Sequence, residues 1–336
     1  MHPNPTTDTP APRIVGLSVA LAAVLAVVML AFSWPSVTAD PRDVPLAVTG
    51  PAPAVEALTT AVEQTQPGAL SFTTVADRDA AIAAIRKREV YGAVVLGRQP
   101  EVLTATAASP AVAQLLNGIA GQLQRTLPAQ PDQPAPTVTV TDVVPLSPDD
   151  PRGAGFSAAL FPLLLGGIIG GIGISLAVGH ALRRVLAVVL YAVVGGLLLT
   201  AIQQSWFGSL QGDWWLNAAG VMLAIAAIAA PITGFMALLG RPGLALGPVL
   251  FMLIANPISG ANLPPEFLPG AWGAIGQWFP PGASATLLRT LSYFPDASTV
   301  GSWLALASWA VLGLVLALIG HARTASTAAA PAPAAS

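Results

Sequence analysis

The sequence has 336 residues, of which 54% are hydrophobic and 9% are charged, and its formal net charge is −2. Soluble domains usually contain about 25% charged residues, so this composition indicates a membrane protein. The chain has one lysine, Lys87, and no basic stripe, which argues against a nucleic-acid partner. It has no cysteine, which excludes disulfides, thiolate nucleophiles and cysteine metal sites.

The N-terminal segment predicts a short tail followed by a membrane anchor. Residues 1–13 are polar and rich in proline, so we expect a disordered cytoplasmic tail there. Ile14–Ser33 is an uninterrupted apolar run, long enough to predict a first transmembrane helix at residues 14–34. A cleaved signal peptide is the alternative, because Val37-Thr38-Ala39 resembles a cleavage site. Signal-peptide cores contain about 7–15 residues, so we favour a retained anchor.

Residues 35–153 have the composition of a soluble domain. Short strand-like runs at Val44–Thr49 and Leu70–Val75 alternate with segments of helical spacing. Asp77 is a predicted helix cap, and its helix is expected to end at Gly92, beside a buried strand at Ala93–Leu96. The order β-α-β-α-β-β-α-β predicts a small α/β domain with its own core.

Two further features of this domain have simple structural interpretations. The charged run Arg86-Lys87-Arg88-Glu89 at a helix end is interpreted as a solvated face rather than a ligand patch. Residues 128–136 are a proline-rich connector to a final strand.

Residues 154–320 predict five more membrane segments, which gives six with the first helix. Four of the five are long enough to span the membrane, and these are Phe156–Gly179, Val185–Gln203, Leu216–Leu239 and Trp303–Gly320. The fifth segment of the chain, Leu244–Ala255, is too short to span and is broken at Asn256-Pro257. A disordered cytoplasmic tail is expected at 321–336. The fold class is therefore a polytopic α-helical membrane protein carrying a small α/β domain after its first span.

The distribution of basic residues predicts the orientation. Arg183, Arg184 and Arg241 lie in the short loops on one side, and basic loops remain cytoplasmic. We therefore expect a multi-pass protein of the cell membrane with both termini inside and residues 35–153 outside.

The stretch after the break, near residues 256–296, predicts an outer re-entrant hairpin. Broken backbone at membrane depth is tolerated only where protein buries it or water reaches it, which makes this hairpin a candidate gate. A surface loop anchored by Trp272 and Trp278 is the alternative, because tryptophan collects at the headgroup level. The candidate gate residues are Asn256, Pro257, Gly260, Pro264, Pro265, Pro269, Pro280, Pro281, Gly282 and Arg289.

Glycines in the second span have the small-xxx-small spacing that lets another helix approach closely. These are Gly166, Gly167, Gly170, Gly171 and Gly173. We interpret this face as helix packing rather than chemistry.

Several kinds of chemistry are missing from the sequence. No ionisable residue lies inside a predicted complete span, which disfavours a self-powered ion-coupled carrier. Lys87 is not in a phosphate loop, and His2, His180 and His321 all lie on the predicted cytoplasmic side. We therefore expect no catalytic, cofactor or metal site in this chain, and any ATP would be hydrolysed by another subunit.

Most of the chain resembles the permease subunits of type-2 ABC exporters, especially their phage-infection-protein-like branch. The resemblance rests on the outer-domain segment AAIRKREVYGAVVL, the re-entry segment VVPLSPDDPRGAGFSAALFPLLLGG, and NPISGANLPPEFLPGAWGAIGQWFPPGASATLLRTL. It implies a homodimer or heterodimer that exports an amphipathic or lipid-like substrate, with Arg183, Arg184 and Arg241 facing a separate ATPase. The segments Asn256 to Pro269 and Pro280 to Arg289 would form the outer gate.

Two functions from different classes follow from these observations. The first is the membrane-spanning subunit of an ABC-type exporter in contact with membrane lipid. The alternative is a non-transporting scaffold or receptor whose outer domain binds an envelope component.

Overall fold

The computed structural model describes residues 10–126 and 137–328, with side chains described through Arg323. The predicted connector at 128–136 therefore lies outside the described residues, as do residues 1–9 and 329–336 of the two predicted tails. The first helix, α1, is Ala11–Thr38, and the last, α11, is Val300–Ala328, so helical structure extends into both predicted tails. Pro12 is compatible with this because a first helical turn needs no proline N–H.

The segment after α1 is an α/β domain with the predicted order of elements. Its elements are β1 (Val44–Thr49), α2 (Ala52–Thr65), β2 (Leu70–Thr74), α3 (Arg78–Arg86), β3 (Ala93–Val95), β4 (Glu101–Thr104), α4 (Pro110–Thr126) and β5 (Thr139–Asp142). The five strands form one sheet in the order β2-β1-β3-β4-β5. Only the β3–β4 pair is antiparallel.

One helix boundary in this domain differs from the prediction. Asp77 caps α3 as expected, since its carboxylate accepts from the Ala80 N–H at 2.8 Å. The helix ends at Arg86 instead of Gly92. Arg88 has a left-handed backbone with φ of 59°, which turns the chain away from the helix axis.

Five helices in the described part of the chain are long and apolar enough to cross a membrane. They are α1, α5 (Ala154–Ala177), α6 (Ala181–Thr200, continued as a π-helix over Ala201–Trp206), α7 (Trp214–Leu239) and α11. A sixth apolar segment, Gly243–Ala255, is shorter and comprises α8 (Gly243–Pro248) and a π-helix over Val249–Ala255. The chain is thus consistent with a polytopic membrane protein.

Helix α7 forms the centre of this bundle, because α5, α6 and α11 pack around it. Its apolar residues Val221, Ile225 and Ile228 are buried among the neighbouring helices. Helix α1 is instead exposed along its apolar length and touches the rest of the protein near its end, where Trp34 meets Trp272 edge to face.

The loop between α5 and α6 is shorter than predicted. It contains only residues 178–180, so Arg183 and Arg184 lie in the first turn of α6 rather than in a loop. The predicted position of these two arginines in a loop is therefore wrong. Arg289, in the predicted hairpin, lies within helix α10 (Pro280–Tyr293).

Candidate functional site

The chain folds back alongside α11 after the π-helix at Val249–Ala255. The returning hairpin contains a 3₁₀ turn at Pro265–Phe267, the short helix α9 at Trp272–Gly276, and α10. Trp309 lies nine residues beyond the start of α11, about 13 Å along its axis at 1.5 Å per residue. Its indole N–H donates to the Trp278 carbonyl at 2.8 Å. The hairpin therefore runs alongside the first turns of α11 and does not lie across the ends of the helices.

Most of the predicted gate residues are at turns and helix ends of this hairpin. Asn256 terminates the π-helix, Gly260 has φ of 61° in the turn that follows, and Pro264 precedes the 3₁₀ turn. Pro280 and Pro281 begin α10 and are buried. Pro280, Pro281 and Gly260 exploit a backbone preference of their residue types, since proline suits a first helical turn and glycine suits positive φ.

The tip of the hairpin is closely packed. A Cβ atom at Gly282 would lie 2.8 Å from the Ser259 carbonyl, so only glycine lets α10 approach the break this closely. The Gln277 side chain donates to the same carbonyl at 2.8 Å and accepts from the Thr286 hydroxyl at 2.5 Å. Hydrogen bonds thus satisfy part of the backbone that the break exposes.

Arg289 connects the hairpin to the α/β domain. Its guanidinium donates to the carbonyls of Ala107 and Ala108 at 3.4 and 3.1 Å, and to that of Ala261 at 3.2 Å. The group also lies over the Phe156 ring at 4.9 Å. Burial, and to a smaller extent the charge of Arg88, lower the pKa of Arg289 to about 10. This cation is therefore held in an environment that solvates it poorly.

Arg88 makes the reciprocal connection from the α/β domain to α10. It donates to the Thr290 hydroxyl at 2.5 Å and lies over the Phe294 ring at 5.3 Å. Beside it, the Tyr91 hydroxyl donates to Glu266 at 2.8 Å, and burial followed by the Glu266 charge raises the pKa of Tyr91. The interpretation of this charged run as a solvated face is thus wrong for Arg88, although Arg86, Lys87 and Glu89 are exposed.

Backbone and apolar contacts complete this junction. The N–H groups of Asp40 and Arg42 donate to the carbonyls of Phe267 and Glu266 at 3.2 and 3.1 Å. Phe267 is 8% exposed and packs in the core of the α/β domain with strand residues such as Val102. The hairpin therefore contributes part of that domain's core.

Two cavities adjoin the Phe156 side chain. The first has a volume of about 230 Å³, is lined partly by Gln114, Asn262 and Tyr293, and contains Arg289 as its charged side chain. The second, of about 200 Å³, lies between α5 and the π-helical end of α6, and its lining is apolar apart from Gln203. Phe156 is the residue that both linings share.

The opposite end of the bundle carries the arginines predicted to face an ATPase. Arg183 and Arg241 are exposed, whereas the Arg184 guanidinium donates to the Val178 carbonyl at 2.6 Å and so holds the α5–α6 connection. Gly320 of α11 packs against Ala237 of α7 near Arg241, which places the C-terminal ends of both helices together.

The glycine-rich face of α5 packs against other helices of the same chain. A Cβ at Gly167 would lie 2.8 Å from the Ile228 Cβ, and one at Gly171 would lie 3.0 Å from the Ala229 carbonyl oxygen, both on α7. Gly166 and Gly170 face Tyr191 of α6, whose hydroxyl donates to the Gly166 carbonyl at 2.7 Å. The predicted close packing therefore has α6 and α7 as its partners.

The comparisons with known proteins add no family to this description. No protein-family model matches the chain, no curated protein is similar to it, and no solved structure matches it.

Sequence reasoning identified Arg289 but missed the other polar residues of the junction, Arg88, Tyr91 and Glu266. Arg88 and Tyr91 come from a segment far from α10 along the chain, Glu266 lies in the same hairpin as α10, and the short-range patterns around all three resemble ordinary surface. A usable signal was nevertheless present, since Arg88 and Tyr91 lie in the AAIRKREVYGAVVL segment on which the family resemblance rests.

Proposed function

We propose that this chain is the membrane-spanning subunit of an ABC-type exporter, moving an amphipathic or lipid-like substrate with energy from a separate ATPase. It would lie in the cell membrane with both termini in the cytoplasm and the α/β domain outside, and it would act as a homodimer or heterodimer. The observation that carries the proposal is the hairpin, which joins the α/β domain at one end and packs in the bundle at the other.

The contacts of α10 describe how such a hairpin would transmit a movement. Its C-terminal half bonds to the α/β domain through Thr290 and Arg289, while Leu287 and Leu288 pack against the bundle helices α7 and α11. A change in the bundle would therefore move the α/β domain and the broken segment together. This is the coupling expected of a gate that opens on the side of the α/β domain.

A scaffold or receptor is the second candidate, and one observation favours it. The α5–α6 connection of three residues presents little surface, and Arg184 is already bonded to Val178 within it. A scaffold needs no ATPase contact at that end.

Affinity purification in mild detergent, followed by mass spectrometry, distinguishes the two functions. Arg183→Glu combined with Arg241→Glu reverses two exposed charges at the proposed ATPase-facing end. Arg152→Glu is the matched control, because Arg152 is also exposed but precedes α5 at the other end of the bundle. Arg184 is left unchanged because its side chain has a structural contact.

Recovery of an ATPase with the wild type and with Arg152→Glu, but not with the double variant, would support the exporter. Recovery of envelope proteins without an ATPase, under conditions that preserve a known ABC complex, would overturn the exporter in favour of the scaffold.

A further inference from the structure

The two cavities beside Phe156 differ in chemistry in a way that matches an amphiphile. One contains a guanidinium and hydrogen-bonding side chains, and the other is almost entirely apolar. They meet where α5 begins, at the end of the bundle that carries the α/β domain. Because α5 is long and apolar enough to cross a membrane, its first residues are expected at the boundary between lipid headgroups and acyl chains.

The charge at Arg289 is not balanced by a neighbouring carboxylate. No acidic side chain within the described residues comes within ion-pair distance of its guanidinium. Arg88 adds a second cation nearby, and the Glu266 carboxylate beside Arg88 accepts from Tyr91. Asp150, near Tyr293, accepts instead from the Gly155 and Phe156 N–H groups at the start of α5. Arg289 itself therefore has no ion-pair partner among the described residues, which leaves its charge available to an anion.

Arg289 also retains hydrogen-bonding capacity. Its three bonds to carbonyl oxygens use three of the five N–H donors of a guanidinium. Two donors remain, and guanidinium donors suit phosphate oxygens particularly well. The hydroxyl and amide groups of Ser157, Gln114 and Asn262 line the same cavity.

The apolar cavity can hold part of a hydrocarbon chain. Leu160, Leu163 and Leu199 contribute to its walls, and its volume of about 200 Å³ is large enough for an apolar group. For comparison, an engineered apolar cavity of ~150 Å³ takes up benzene. The side-chain oxygen of Gln203, at its edge, is buried and has no hydrogen-bond partner among the described residues.

We propose that these cavities bind one resident anionic phospholipid, with its phosphate at Arg289 and one acyl chain in the apolar cavity between α5 and the π-helical end of α6. The lipid comes from the leaflet on the side of the α/β domain, and Phe156 lies between its head and its tail. This site is independent of ATPase coupling, because a resident lipid binds to the purified chain whether or not the chain transports.

The test is native mass spectrometry of the delipidated full chain after addition of phosphatidylglycerol, phosphatidylcholine or inorganic phosphate. We expect one phosphatidylglycerol to bind about tenfold more tightly than phosphatidylcholine. Both lipids carry the phosphate, but only phosphatidylcholine brings a quaternary ammonium beside the Arg289 guanidinium, where like charges repel. Inorganic phosphate should not bind detectably, because it lacks the chain that fills the apolar cavity.

Two variants test the headgroup site and the acyl-chain cavity separately. Arg289→Gln should abolish the preference for the anionic lipid, and Ala159→Trp should reduce the binding of both lipids by filling the apolar cavity. The controls are Arg42→Gln, another arginine bonded to the hairpin, and Ile169→Trp, which adds a ring to the exposed face of α5. Both controls should bind phosphatidylglycerol like the wild type.

Equal wild-type affinity for the two lipids would overturn the proposal, as would undiminished binding in Ala159→Trp. Phosphate binding as tight as that of phosphatidylglycerol would also overturn it, because the site would then take free anions. Circular dichroism of each variant establishes that a loss of binding is not a loss of folding.

Discussion

Replacing Arg88 tests how much this one side chain contributes to holding the α/β domain and α10 together. Arg88→Ala removes the hydrogen bond to Thr290 and the contact with the Phe294 ring. A hydrogen bond from a charged group contributes about 1.5–3 kcal/mol. A cation–π contact contributes about 0.5–2 kcal/mol. We therefore expect Arg88→Ala to lower the unfolding free energy by about 2–5 kcal/mol.

The backbone at Arg88 provides a second, independent test of the same residue. Its φ of 59° strains any residue that has a Cβ atom, whereas glycine adopts it readily. The Arg88→Gly variant should therefore be more stable than the Arg88→Ala variant by about 1 kcal/mol, although glycine also lacks the Cβ atom that alanine keeps.

The assay is denaturant unfolding in mixed micelles, followed by tryptophan fluorescence. Arg86→Ala is the control, because Arg86 is exposed at the end of the same helix and should change stability by no more than about 0.5 kcal/mol. A double-mutant cycle with Thr290→Val should give a coupling of about 1–3 kcal/mol. A coupling near zero, or a glycine variant no more stable than the alanine variant, would refute this account of the junction.

Three further predictions concern the bundle, the sheet and the shared core. Gly171→Leu should lower the thermal stability of the detergent-solubilised protein, because Gly171 packs against α7, whereas Gly173→Leu should not, because a Cβ at Gly173 would have no neighbour within 4 Å. Equal effects of the two substitutions would contradict the assigned packing. The hydrogen bond from Arg78 lowers the pKa of Glu101, so its stabilisation is present above pH 4.5 and is lost as the pH falls below that value. The difference in unfolding free energy between wild type and Glu101→Gln should shrink accordingly on acidification, and a difference independent of pH would argue against this ion pair. Phe267→Ala should cost about 3–5 kcal/mol and make the α/β domain more sensitive to protease, since the ring fills that domain's core; unchanged digestion would contradict that role.

The local patterns of the sequence determined the class of protein and most of its elements. Apolar runs long enough to span a membrane and short alternating strands are properties of neighbouring residues, so they are readable without tertiary structure. The cap at Asp77 and the order of the α/β elements were predicted correctly for the same reason. The glycine spacing on α5 likewise predicted close packing, because it depends only on the helical repeat.

Tertiary structure alone decided which residues meet at the junction. Arg88 and Thr290 are 202 residues apart, and Arg289 is 181 residues from the Ala108 carbonyl that it contacts. A charged run beside a helix end has the same local pattern whether it faces water or another segment, so the partial burial of Arg88 could not be inferred from its neighbours. The sequence therefore indicated that the chain would be broken near Asn256, and only the fold brought Phe267 of that hairpin to a domain whose Arg42 lies 225 residues earlier.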